Sequence, residues 1–119
     1  MKTLIVGAGA AGMMAAAQMS EHGADVCLVE KNSILGRKVI ISGGGRCNIT
    51  TTNSEIAVLM KQYPRGGRWL RFAMHEFDPE AVYAWFEGRG IPLKIEVRRV
   101  FPRSNKGTDV TEMFGRLFE

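Results

Sequence analysis

Three closely spaced glycines and a later carboxylate are the residues of this chain best suited to chemistry. The glycines lie in Gly7-Ala8-Gly9-Ala10-Ala11-Gly12, and Glu30 follows 18 positions after the last of them. Glycines that open a helix suit a phosphate, because the first turn presents unpaired N–H groups and the positive end of the helix dipole. A carboxylate about 20 residues further on accepts hydrogen bonds from ribose hydroxyls. The spacing therefore predicts a dinucleotide-binding site.

The sequence also contains the elements that would position these residues. The apolar run Lys2-Thr3-Leu4-Ile5-Val6 predicts a strand, and the alanine- and methionine-rich segment that Gly23 closes predicts a helix. A second apolar run, Val26-Cys27-Leu28-Val29, leads into Glu30. This order of elements is typical of a Rossmann-like βαβ unit. Because a carboxylate at its end would repel a 2′-phosphate, the unit favours FAD or NAD over NADP.

Two further stretches suit an anionic ligand. Gly36-Arg37-Lys38 is predicted to lie in a loop after the second strand, where its cations could bind phosphate or simply be exposed on a turn. Ser42-Gly43-Gly44-Gly45-Arg46-Cys47-Asn48 follows a brief apolar run. Its consecutive glycines allow a flat or anionic ligand to approach the backbone, with Ser42, Arg46 and Asn48 as polar contacts. A flexible linker is the alternative interpretation of this stretch.

These motifs together resemble those of the aminoacetone-oxidase-like flavoproteins, NAD(P)/FAD-dependent oxidoreductases with two dinucleotide-binding domains. The most specific part of the resemblance is the stretch from Ser42 to Asn48, in which a serine, three glycines, an arginine, a cysteine and an asparagine follow one another. Later stretches of the chain are also similar to that family, so that the resemblance covers the whole sequence: Ile91-Pro92-Leu93-Lys94-Ile95-Glu96, Arg99-Val100-Phe101-Pro102 and Ser104-Asn105-Lys106. Two residues depart from the family's pattern, Arg98 in place of a more usual glycine and Gly107 in place of a more usual alanine.

The resemblance implies that the chain binds FAD. It places the pyrophosphate at the first glycine motif, the adenosine ribose at Glu30, and the flavin beside Ser42 to Asn48. The whole set of expected cofactor-binding residues is Gly7, Gly9, Ala10, Ala11, Gly12, Glu30, Lys31, Gly36, Arg37, Lys38, Ser42, Gly43, Gly44, Gly45, Arg46, Cys47 and Asn48. We predict no metal site and name no catalytic acid or base, since His75 has no partner at metal-ligand or triad spacing.

The remainder of the sequence predicts helices and a hairpin. Thr50 to Ser54 is interpreted as a polar connector, with Ser54 capping a short helix. Arg68 to His75 predicts another short helix. Alternating core and surface faces account for its arginines beside Trp69 more simply than a nucleic-acid site does. Asp78-Pro79-Glu80 starts a helix whose apolar stripe is Val82, Trp85 and Phe86; a hairpin from Leu93 to Phe101 and a helix opening at Gly107 follow.

Composition is that of an ordinary globular protein. The 119 residues are 45% apolar and 24% charged, with a net charge of +4. The apolar amino-terminal run is interrupted by glycines at turn spacing and is short for a membrane span, so we expect neither a signal peptide nor a transmembrane helix. The two cysteines form no disulfide or zinc pattern. These features favour a cytoplasmic protein without a membrane partner, and we do not expect a nucleic-acid partner unless the RNA-associated alternative below holds.

The sequence as a whole predicts an α/β fold: an incomplete, Rossmann-like FAD-binding domain. Its expected parts are the βαβ unit over 1–30, the glycine loop over 36–50, a helical segment over 54–90, and strands and a helix over 91–119. The chain would be the N-terminal portion of a flavin-dependent oxidoreductase acting with NAD(P)H or a small organic substrate. Three alternatives stay open: a nicotinamide-only dehydrogenase domain, an RNA-associated flavoprotein, and a non-catalytic fragment.

Overall fold

The computed structural model describes residues 2–118, which form six helices and five strands in two compact units. One unit contains residues 2–47 and 105–118, and the other contains residues 48–104. The α/β class predicted from the sequence is confirmed. In chain order the elements are β1 (Lys2–Val6), α1 (Ala10–Glu21), β2 (Asp25–Val29), α2 (Arg37–Gly45), β3 (Thr50–Thr51), α3 (Ile56–Lys61), α4 (Gly67–Glu76), α5 (Pro79–Glu87), β4 (Leu93–Glu96), β5 (Arg99–Pro102) and α6 (Gly107–Leu117).

The first unit is built on the predicted βαβ arrangement. Strands β1 and β2 are parallel and in register, with Lys2 opposite Asp25 and Val6 opposite Val29. Helix α1 connects them, and its inner face buries Met13 together with two small residues, Ala16 and Ala17. Alanines on that face let the helix lie close to the strands.

Helix α6 completes this unit. The sequence predicts an apolar stripe of Val110, Met113, Phe114 and Leu117; the first three are buried, whereas Leu117 is exposed. Its first residue, Gly107, lies against α2, because a Cβ there would be 2.6 Å from the Ile40 carbonyl oxygen. Gly107 is therefore a contact point between two helices of the first unit.

Three local predictions are wrong. The segment expected to be a loop becomes helical at Arg37, and α2 kinks where Ser42, Gly43 and Gly44 leave helical geometry. The polar connector contains a strand, because Thr50 and Thr51 pair with β5 and the Thr51 hydroxyl donates to the Arg98 carbonyl.

The third wrong prediction concerns the start of α3. Ser54 does not cap it, since the helix begins at Ile56 and its N-cap residue is Glu55, whose side chain makes no capping bond. The Asn53 side chain instead accepts a hydrogen bond from the Glu55 N–H at 3.2 Å, which turns the chain before the helix.

The second unit packs α5 on an antiparallel sheet of order β3-β5-β4. Asp78 caps α5 as predicted, accepting from the Ala81 N–H at 2.7 Å. Trp85 and Phe86 are buried with their rings edge to face, 4.9 Å apart. The Arg89 guanidinium lies 3.9 Å from the Trp85 ring centre, adding a cation–π contact at the end of the helix.

Helix α4 departs from its predicted burial. Alternating core and surface faces would bury its aromatic residues, but Trp69 and Phe72 are exposed, and only Leu70 and Met74 are half-buried among its large apolar residues.

The hairpin turn between β4 and β5 is strained. Val97 and Arg98 both have left-handed backbone, with φ of 43° and 67°, the geometry of a two-residue type I′ turn. We expect Arg98→Gly to raise the free energy of unfolding by roughly 0.5–1 kcal/mol, because glycine adopts this conformation without a Cβ clash. Urea unfolding measures the change. Arg99→Gly, within β5, is the control and should lower stability; equal effects of both changes would contradict the prediction.

Candidate functional site

The first unit contains an open groove of about 660 Å³ at the carboxyl ends of β1 and β2. Ligands of open parallel sheets bind at this end of the strands. The groove brings together six of the residues predicted from the sequence: Gly7, Gly9, Glu30, Lys31, Arg37 and Lys38. Four further residues complete its lining: Val6, Ala8, Val29 and Asn32.

Ala8 holds the glycine turn in place. Its N–H donates to Glu30 Oε2 at 2.9 Å, and its carbonyl accepts from the Gly36 N–H at 2.8 Å. The Gly7 N–H donates to the Val29 carbonyl at 2.7 Å. The turn after β1 is thus fixed to the end of β2 and to the start of α2, which makes the groove a built feature of the fold.

Glu30 is held as a carboxylate. Its oxygens accept from the Asn32 N–H at 2.9 Å, the Asn32 side-chain amide at 2.6 Å and the Ala8 N–H. These bonds, the one from the Asn32 backbone first and that from Ala8 next, lower the pKa of Glu30 below its usual value. Sequence reasoning missed Asn32; the signal was an amide side chain two residues beyond the carboxylate.

Two glycines of the first motif have different reasons to lack a side chain. At Gly12, a Cβ would lie 1.9 Å from the Gly7 carbonyl oxygen, so that close packing of α1 on the turn requires glycine. Gly9 is the N-cap of α1 with φ of −78°, which any residue adopts, and a Cβ there would meet nothing within 4 Å. Neither conformation nor packing among the described residues explains Gly9. A ligand that approaches the backbone there would.

The other predicted site residues lie outside the groove lining. Ala10, Ala11 and Gly12 form the first turn of α1, whose N–H groups have no intrahelical acceptor. Gly36 packs inside the unit, because a Cβ there would be 2.6 Å from a methyl of Thr111 and 2.8 Å from that of Met13. The remaining predicted residues are Ser42, Gly43, Gly44, Gly45, Arg46 and Cys47, in the same unit, and Asn48, in the second unit.

The glycine loop has a backbone that ordinary residues rarely adopt. Gly43, Gly44, Gly45 and Cys47 are all left-handed, with φ between 56° and 86°. The Ser42 hydroxyl donates to the Val39 carbonyl at 2.8 Å, and the Ser42 carbonyl accepts from the Cys47 N–H. Burial raises the pKa of the Cys47 thiol, partly offset by a hydrogen bond with Ser42. This thiol is protonated at neutral pH and is not a poised nucleophile.

Two classes of feature are missing from the described part of the chain. Residues 2–118 contain no group of three or more histidine, cysteine, aspartate or glutamate side chains that could hold a metal ion. None of the helices in that range has the length and apolar character needed to cross a bilayer.

Comparison with known proteins identifies a family and three relatives. A family model described as "HI0933-like protein Rossmann domain" matches residues 1–119. The chain is 43% identical over 61 residues to the ribosomal RNA dihydrouridine synthase of Escherichia coli (strain K12), covering 51% of this chain and 15% of that protein. The synthase of the same name from Haemophilus influenzae (strain ATCC 51907 / DSM 11121 / KW20 / Rd) is 40% identical over 63 residues. The match covers 53% of this chain and 16% of that protein.

A third relative has a different name. The 3-dehydro-bile acid delta(4,6)-reductase of Clostridium scindens (strain ATCC 35704 / DSM 5676 / VPI 13733 / 19) is 28% identical over 111 residues, covering 92% of this chain and 26% of that protein. The chain thus spans about a quarter or less of the length of these relatives.

Proposed function

Because the chain belongs to the HI0933-like family of Rossmann-domain proteins, we propose that it is the FAD-binding part of a flavin-dependent oxidoreductase. The observation that carries this proposal is the pairing of a sterically open Gly9 with an ionised Glu30 in one groove. An adenosine diphosphate group has complementary ends, a pyrophosphate for the start of a helix and ribose hydroxyls for a carboxylate.

The residues present fit such a group. The first-turn amides of α1 would hold the pyrophosphate, Glu30 would accept from the ribose hydroxyls, and Arg37 and Lys38 would add positive charge beside the phosphates. Bound FAD would supply the redox chemistry, and the protein would supply binding and orientation. We propose NAD(P)H or a small organic substrate as the hydride donor, and the glycine loop from Ser42 to Asn48 as the flavin-side contact.

The names of the relatives point to two classes of substrate. Two of the names specify ribosomal RNA, and the third specifies a bile acid. An RNA-associated flavoprotein is therefore the second candidate function, favoured by the two synthases. We also propose a cytoplasmic location, which suits an unpaired, exposed Cys27 and a buried free Cys47.

The test is an absorbance spectrum of the purified protein, followed by identification of the cofactor released on denaturation. Flavin bands and released FAD support the proposal. A colourless protein that binds NAD but neither retains nor takes up FAD would establish the nicotinamide-only dehydrogenase instead. A protein that binds neither cofactor would be the non-catalytic fragment.

The hydrogen bonds to Glu30 also predict a pH dependence. A carboxyl group whose pKa is lowered in the folded state stabilises the fold at pH values above its unfolded-state pKa. This stabilisation is lost as the pH falls through the folded-state pKa. Glu30→Gln should therefore lower the urea midpoint at pH 7 and converge with the parent protein in acid. Unfolding without added cofactor at pH 7 and pH 3 measures this. Glu55→Gln is the control and should not show this pH dependence. If the lower urea midpoint of Glu30→Gln persists unchanged in acid, the prediction is contradicted.

A further inference from the structure

Helix α4 of the second unit exposes two large aromatic side chains. Trp69 is 85% exposed and Phe72 is 74% exposed, and the two are neighbours on the helix surface because they lie three positions apart. The opposite side of the helix carries Leu70 and Met74, which are half-buried. Packing within the second unit therefore does not account for the aromatic pair.

Two arginines lie on α4 with this pair, and a third, Arg65, lies two residues before the helix begins. Arg65, Arg68 and Arg71 are exposed, and none of the three makes a hydrogen bond or ion pair with any residue in the range 2–118. Between residues 61 and 76 the chain has four lysine or arginine residues and a single acidic residue, Glu76. We call Arg65, Arg68, Trp69, Arg71 and Phe72 the aromatic–arginine face.

The chemistry of this face selects one class of ligand. Planar rings beside unpaired guanidinium groups match a strand of unstacked bases on a phosphate backbone, where bases stack on the rings and phosphates pair with the cations. A membrane surface would favour a helix with separate apolar and basic faces. On α4, Arg68 lies four positions before Phe72, so a guanidinium group and an aromatic ring are neighbours on the helix surface, and the helix is only 10 residues long.

We propose that the aromatic–arginine face of α4 binds single-stranded nucleic acid. Bases stack on Trp69 and Phe72, and backbone phosphates contact Arg65, Arg68 and Arg71. The inference uses only residues of the second unit and does not depend on FAD binding in the first.

The charge part of the proposal is tested with fluorescein-labelled oligouridylate and oligothymidylate of about 12 nucleotides, a length within known single-strand site sizes. Fluorescence anisotropy with the full chain should show binding to at least one of them at low salt. The variant Arg68→Ala/Arg71→Ala should weaken it about tenfold or more and reduce the salt slope by roughly 1.4, the value for two phosphate contacts on a single strand. Arg103→Ala/Arg116→Ala removes the same charge from exposed positions elsewhere and should change affinity less than twofold.

The stacking part has a spectroscopic test. The chain has two tryptophans, and Trp85 is buried, so quenching of tryptophan emission on binding reports on Trp69. Trp69→Ala should weaken binding about tenfold and abolish the quenching. Trp69→Phe should abolish the quenching but keep affinity within a few-fold, since a phenyl ring still stacks. Circular dichroism and the flavin absorbance spectrum should be unchanged in all variants. Unchanged spectra show that weaker oligonucleotide binding does not come from a folding defect or from a failure to bind FAD.

Several outcomes would overturn the proposal. One is the absence of an anisotropy change with either oligonucleotide at low salt. Another is an equal loss of oligonucleotide affinity in the two double-arginine variants. Binding that leaves tryptophan emission unchanged would exclude stacking on Trp69. Association with phosphatidylglycerol vesicles, or self-association in sedimentation, that depends on Trp69 while neither oligonucleotide binds would assign the face to a membrane or to a second copy of the chain.

Discussion

Gly9→Ala is expected to reduce FAD affinity about 100-fold while the protein stays folded. Gly9 has ordinary extended backbone, and its missing Cβ leaves empty space at the start of α1. A methyl group there would occupy the position that the pyrophosphate needs in order to reach the first-turn amides. Inserting a methyl into a close contact costs about 1–3 kcal/mol, and the upper end of this range corresponds to about 100-fold.

The folding cost of Gly9→Ala should be small. Alanine is a poorer N-cap than glycine, which predicts a loss of at most about 1 kcal/mol in the free energy of unfolding. Gly115→Ala is a matched control, because Gly115 lies in α6 of the same unit and a Cβ there also meets nothing within 4 Å. It should bind FAD normally and be slightly more stable.

Titration of apo-protein with FAD, followed by flavin fluorescence, measures both variants, and urea unfolding without FAD measures their stability. If Gly9→Ala binds FAD as tightly as the parent protein, the pyrophosphate does not lie at the start of α1. The proposed function would then lose the observation that carries it.

The parts of the fold that the sequence predicted are those specified by neighbouring residues. The glycine spacing places the N-cap of α1 at Gly9, and Asp78 followed by a proline starts α5 at the next residue. The β4–β5 hairpin, which the two-residue turn at Val97 and Arg98 closes, is likewise local. At α5 and at the hairpin, the hydrogen bonds concerned are made within a few residues of the signal.

Two of the wrong predictions depend on contacts that the local pattern does not contain. Thr50 and Thr51 form a strand because β5, almost fifty residues later, supplies the partner backbone. The exposure of Trp69 follows from which side of α4 faces α3, and the helical pattern alone does not fix this choice. Local polarity suggested a connector in the first case, and apolar content suggested a core in the second.

The candidate site divides in the same way. Gly7, Gly9 and Glu30 were predicted because the βαβ spacing fixes their positions relative to one another. Asn32 was missed because its role is to hold Glu30, and only the hydrogen bonds at 2.6 and 2.9 Å reveal it. The glycine loop stays a prediction, since its left-handed backbone is compatible with ligand contact but does not identify a ligand.

Gly12→Ala is expected to destabilise the protein by about 3 kcal/mol or more, the largest folding effect that we predict for a single methyl group. The added Cβ would lie 1.9 Å from the Gly7 carbonyl oxygen, which is backbone and cannot rotate away. Helix α1 would have to move off the turn and off the β1–β2 sheet. That movement would open the contacts of Met13, Ala16 and Ala17, which are buried on its inner face.

The contrast with Gly9→Ala separates packing from ligand contact within one motif. Both changes add the same methyl group, three positions apart, and both should impair FAD binding. Only Gly12→Ala should lower the urea midpoint strongly in the absence of FAD, while Gly9→Ala should unfold close to the parent protein. A Gly12→Ala protein with parental stability would mean that α1 does not lie as close to the glycine turn as the structure places it. Because the N–H groups of that first turn form the phosphate end of the groove, such a result would also remove the geometric basis for placing a pyrophosphate there.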